Sequence, residues 1–107
     1  MANAILLYVG AAIITIWGIA HIVPTKSVVS GFGQISRDNR LIITMEWIAE
    51  GLTLCFIGLL VLVVTLFAGP AGQASKIVYL ASAAMLVVMA ILTASTGSKT
   101  PVLPMKI

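Results

Sequence analysis

The sequence predicts an all-α membrane protein, a bundle of three transmembrane helices that forms one domain over residues 1–107. Three observations carry this prediction. Hydrophobic residues make up 61% of the chain and charged residues 8%, against roughly 45–50% apolar in ordinary globular domains. Apolar runs of about 20 residues recur, the length that crosses a hydrocarbon layer of roughly 30 Å. Helix-breaking residues, Pro24 and the group Gly69, Pro70 and Gly72, separate those runs.

The first span covers about residues 4–23. Pro24 stops it, because the residue before a proline is disfavoured in helix. Trp17 suits an interfacial anchor near the exit end, and Tyr8 one nearer the start. The stretch has no basic segment ahead of it beyond the terminal amine and is too long for a signal-peptide core, so it reads as a span.

Residues 24–40, "PTKSVVSGFGQISRDNR", form the one long polar connection. Val28, Val29, Phe32 and Ile35 recur at near-helical spacing and predict a short amphipathic turn along the interface. The second span covers about 41–67, with Ser36 or Asp38 as its cap. At 1.5 Å per residue it is roughly 40 Å long, so it either tilts or stands partly in the headgroups. The third covers about 76–95. The tail, 96–107, contains Pro101 and Pro104 and is too short to cross.

The basic residues orient the chain. Lys26, Arg37, Arg40, Lys99 and Lys106 fall on one side and Lys76 on the other. The excess of positive charge marks the cytoplasmic face. The expectation is a multi-pass protein of the bacterial inner (plasma) membrane with its amino terminus outside and loop 24–40 in the cytoplasm. Six basic residues scattered singly give no nucleic-acid surface. The single Cys55 permits neither an internal disulfide nor a cysteine metal site, and reads as a packing residue.

Candidate chemistry gathers at the cytoplasmic end. Two of the three acids, Glu46 and Glu50, head the longest apolar run in "TMEWIAEGLT", and Asp38 lies just upstream. Glu46, Glu50 and Thr53 follow i, i+4, i+7 spacing and share a helix face. Thr15, Gly18 and the only histidine, His21, make a comparable stripe on the first span. Facing each other, the stripes would form a polar ligand or proton pocket of His21, Glu46, Glu50 and Thr53, roofed by Asp38, Asn39 and Arg40. An acid in hydrocarbon is costly unless it faces protein and has a partner. His21 is therefore expected within one hydrogen bond, or one bridging water, of Glu46 or Glu50, with Arg40 at the same depth. The bland alternative leaves Arg40 and Glu46 among headgroups and makes His21–Glu50 a structural contact.

One histidine with two carboxylates is a weak metal set, so no metal is assigned, and no cofactor is identified. Small residues beside His21 leave room for a flat ring but equally suit helix packing. The third span carries Ser82, Met85, Met89 and Thr93 along one face, a packing stripe. No Ser–His–Asp or Cys–His nucleophile can be assembled, and catalysis is the less favoured reading.

The segment "WGIAHIVPTKSVVSGFGQISRDNRLIITMEWIAEG", residues 17–51, resembles the DoxX-like group of small bacterial membrane proteins. That resemblance implies a four-helix bundle, often an accessory to redox or other membrane systems. Here a fourth span is missing after "PVLPMKI", so either the chain stops early or a neighbouring subunit supplies the missing surface. "DNRLIITMEWIAEG" is also similar to the acidic helix of emopamil-binding-type sterol isomerases, which would make Glu46 and Glu50 an acid–base pair.

Three functions follow, in order of preference. The first is an accessory or scaffold subunit that packs against other membrane subunits or a second copy, with lipids as its remaining partners and no nucleic acid. "LASAAM", residues 80–85, offers small residues for close helix contact. The second is a proton-linked or lipid- or quinone-binding protein that uses the pocket. The third is an enzyme acting on a lipid or quinone in the same pocket, such as a membrane isomerase of the emopamil-binding type.

Overall fold

The computed structural model describes residues 2–99, omitting the side chains of Ala2, Asn3 and Ser98. Met1 and residues 100–107, with them most of the tail and Lys106, lie outside the described residues. The fold is all α. In order it comprises α1 (Ala2–Ile22), α2 (Thr25–Ser30), α3 (Arg37–Ala68), α4 (Gln73–Ser95) and a 3-10 turn at Gly97–Lys99. α1, α3 and α4 are each long and apolar enough to cross a membrane.

Local signals explain most boundaries. α1 ends at Ile22, just before Pro24. The Ser36 side chain caps α3, its hydroxyl accepting from the Asn39 N–H at 3.0 Å. The helix thus begins at Arg37, four residues before the span expected from hydropathy, because the cap acts ahead of the apolar run. Its 32 residues extend roughly 48 Å, more than a hydrocarbon layer needs. α4 begins at Gln73 rather than 76, directly after extended Gly72. Gly69 turns the chain with φ of 78°, a conformation that costs glycine little.

The connection after α1 is partly helical. α2 packs against α3 and buries Val28 and Val29. Phe32, grouped with them by spacing, is instead exposed, because the helix stops at Ser30.

α1 and α3 form a close antiparallel pair. Ala11, Thr15, Gly18 and Ile22 face Trp47, Gly51, Cys55 and Gly58. A Cβ added to Gly18 would stand 2.6 Å from the Cys55 sulfur and 2.7 Å from the Gly51 carbonyl oxygen. One added to Gly58 would stand 2.8 Å from the Ala11 carbonyl oxygen and overlap the Thr15 hydroxyl. Such approach gives dispersion contact that lipid chains cannot match, the force that joins helices where no hydrophobic drive exists between them. The Cys55 thiol donates to the Thr15 carbonyl at 3.5 Å, so this cysteine packs in the seam.

α4 is held differently. Its buried residues are Ser75 and Ser82. The Ser75 hydroxyl lies 2.6 Å from the Gly69 carbonyl oxygen and 3.2 Å from that of Val64. Tyr79 and Thr65 share a hydrogen bond of 2.6 Å between hydroxyls. These ties lie in the first part of α4. Beyond them an open groove separates the helix from α3.

Candidate functional site

The groove lies between residues 42–54 of α3 and 86–97 on the α4 side, with Trp17 and His21 contributed by α1. It encloses about 910 Å³, and most of its wall is apolar. His21, Glu46, Glu50 and Thr53 all line it.

Their arrangement differs from two stripes face to face. Thr15 and Gly18 are taken up in the α1–α3 seam. The α3 face that meets α1 carries Trp47, Gly51 and Gly58, so the face with Glu46, Glu50 and Thr53 is turned towards the groove. The cause is steric: only the glycine-bearing face of α3 lets the two backbones approach, and the acids lie off to its side.

Trp47 organises the junction. Its indole N–H donates to the His21 carbonyl at 2.6 Å. That carbonyl belongs to the last turn of α1, where backbone oxygens lack intrahelical donors. The His21 and Trp47 rings stack with centroids 3.9 Å apart and planes 16° apart. Stacking directs the imidazole Nε2 towards Glu50, 3.6 Å from Oε2. This is beyond a good hydrogen bond but close enough for direct charge attraction when the histidine is protonated. Nε2 is buried and has no hydrogen-bond partner among the described residues, whereas the Glu50 side chain is 42% exposed and opens onto the groove.

Glu46 is exposed and forms no ion pair, since His21–Glu50 is the one ion pair among the described residues. The Thr53 hydroxyl donates to the Ala49 carbonyl of its own helix at 2.8 Å. Asp38, Asn39 and Arg40 sit in the first turns of α3 and are not among the groove-lining residues. Glu46 is roughly 9–12 Å along the axis from these three residues, so they lie too far up the helix to cover it. The Arg40 guanidinium instead donates to the Gly33 carbonyl at 3.2 Å and ties the connection to α3. No three His, Cys, Asp or Glu side chains among the described residues are grouped to hold a metal.

Of the third-span stripe, Met89 and Thr93 line the groove, Ser82 is buried and Met85 is exposed. Trp17 also lines the groove, at 43% exposure, where an interfacial anchor was expected. Trp47 had no role assigned from sequence. Its signal was present: an indole inside an apolar run needs both burial and an acceptor for its N–H, and a helix stopped by Pro24 leaves carbonyls to accept.

No family model, no curated protein and no solved structure matches this chain.

Proposed function

We propose that the chain is a membrane-embedded binding protein for an amphiphile of the lipid or quinone class, held in the groove between α3 and α4. One observation carries the reading: an open, largely apolar groove of about 910 Å³ with carboxylates and hydroxyls confined to a few positions on its wall. Small-molecule sites have roughly this character and 300–1,000 Å³ of volume. A groove between spans also admits a chain-bearing molecule sideways from the bilayer. The host membrane is taken to be a bacterial inner membrane, with the groove's polar end on the cytoplasmic side, because Lys26, Arg37, Arg40 and Lys99 cluster there by chain order.

A second reading, an accessory subunit whose neighbour docks beside α4, draws on the few buried positions of that helix, Ser75 and Ser82. Native mass spectrometry of the protein released from mild detergent tests both. A retained small molecule that is lost when Leu86 and Met89 are replaced by Trp to fill the groove supports binding. A stoichiometric protein partner and an empty groove would establish the accessory reading instead.

A further inference from the structure

We infer that the groove selects amphiphiles with a cationic head, an amine or quaternary ammonium, over neutral or anionic ones; this rests on the amphiphile-binding reading above. The chain as a whole is basic, with six Lys and Arg against three acids. The groove reverses that balance. Two of the three acids, Glu46 and Glu50, line it, and among the described residues no Lys or Arg does.

His21 offsets this excess of negative charge incompletely. It faces Glu50 at 3.6 Å, while Glu46 has no cationic partner among the described residues. The buried Nε2 is also out of an incoming head's reach, whereas both carboxylates are accessible. The nearest backbone dipole acts in the same direction. α4 ends at Ser95 within the groove wall, and a helix C-terminus carries partial negative charge that falls off within its last turn. The positive N-terminus of α3, by contrast, lies roughly 14 Å along the axis from Glu46.

An aromatic face completes the match. Trp17 lines the groove and is half-exposed, and an indole face attracts ammonium groups in a poorly hydrated site. A cationic head would therefore lie between Trp17 and the Glu46–Glu50 edge, with its chain along the apolar wall formed by Leu86 and Met89. A neutral quinone would satisfy the wall and leave the carboxylates uncompensated.

The chain's two tryptophans, Trp17 and Trp47, both line the groove, so intrinsic fluorescence reports occupancy. The purified protein in neutral maltoside micelles is titrated with three amphiphiles that share one brominated alkyl chain and carry a trimethylammonium, hydroxyl or sulfate head. Saturable quenching is expected at about tenfold lower concentration for the trimethylammonium compound than for the other two. Glu46→Gln, at an exposed position without an ion-pair partner among the described residues, should narrow that gap while leaving the helical content unchanged. Equal quenching by all three heads, or preference for hydroxyl or sulfate, overturns the cation selectivity but leaves amphiphile binding standing. Absence of saturable quenching by any of them removes the binding reading, and this inference with it.

Discussion

The Trp47 indole both caps α1, by donating to the His21 carbonyl at 2.6 Å, and stacks on the His21 ring at 3.9 Å. One side chain thus fixes the end of one span, its register against the next and the direction of the imidazole. Trp47→Phe keeps the stack and removes the hydrogen bond, leaving a carbonyl without its donor; the expected loss is about 1–2 kcal/mol. Trp47→Ala removes both and should cost about 3–5 kcal/mol. Unfolding midpoints in micelles measure the two, and equal midpoints for Trp47→Phe and the wild type would discount the cap.

The α1–α3 seam predicts a contrast between glycines. Gly58→Ala puts a methyl against the Thr15 hydroxyl and the Ala11 carbonyl and should destabilise by about 1–3 kcal/mol. Gly10→Ala meets nothing within 4 Å and should be neutral or stabilising by up to about 1 kcal/mol through helix propensity. Similar thermal stability of the two variants would mean that the spans do not meet through this face.

Between α3 and α4, the Thr65–Tyr79 pair is suited to a double-mutant cycle. Thr65→Val, Tyr79→Phe and the double variant should give a coupling of about 0.5–1.5 kcal/mol, the range found for polar pairs between membrane helices. Additive effects would show that the hydroxyls act independently.

The two glutamates should behave differently. Glu50 is half-buried against His21, whereas Glu46 is exposed and unpaired among the described residues. Glu50→Leu leaves His21 without its only charge partner among the described residues and should lower folded yield and melting temperature more than Glu46→Leu does. Size-exclusion recovery after heating checks this; equal, negligible losses would reduce the His21–Glu50 contact to an incidental one.

Orientation is tested separately. Ser36→Cys should resist an impermeant thiol reagent in intact cells and react after permeabilisation, since it neighbours Arg37 and Arg40 on the side assigned to the cytoplasm. Labelling of intact cells would invert the topology.

The sequence by itself determined the class and the spans. Apolar length, the breaks at Pro24 and Gly69–Gly72 and the Ser36 cap are local properties, and each lies within a few residues of the boundary it sets. It also brought His21, Glu46 and Glu50 to one end, because chain order and span length place them there whatever the packing. Only the tertiary structure decided which faces meet. Helical spacing shows that Glu46, Glu50 and Thr53 share a side, but which side faces α1 depends on how closely two backbones can approach. Gly51 and Gly58 settle that in favour of the neighbouring face. The acids consequently turn to a groove whose far wall, around Leu86, Met89 and Thr93, comes from the part of α4 that follows the buried Ser82. Trp47 took its place for the same reason: its acceptor lies 26 residues back along the chain, a pairing that no local pattern specifies.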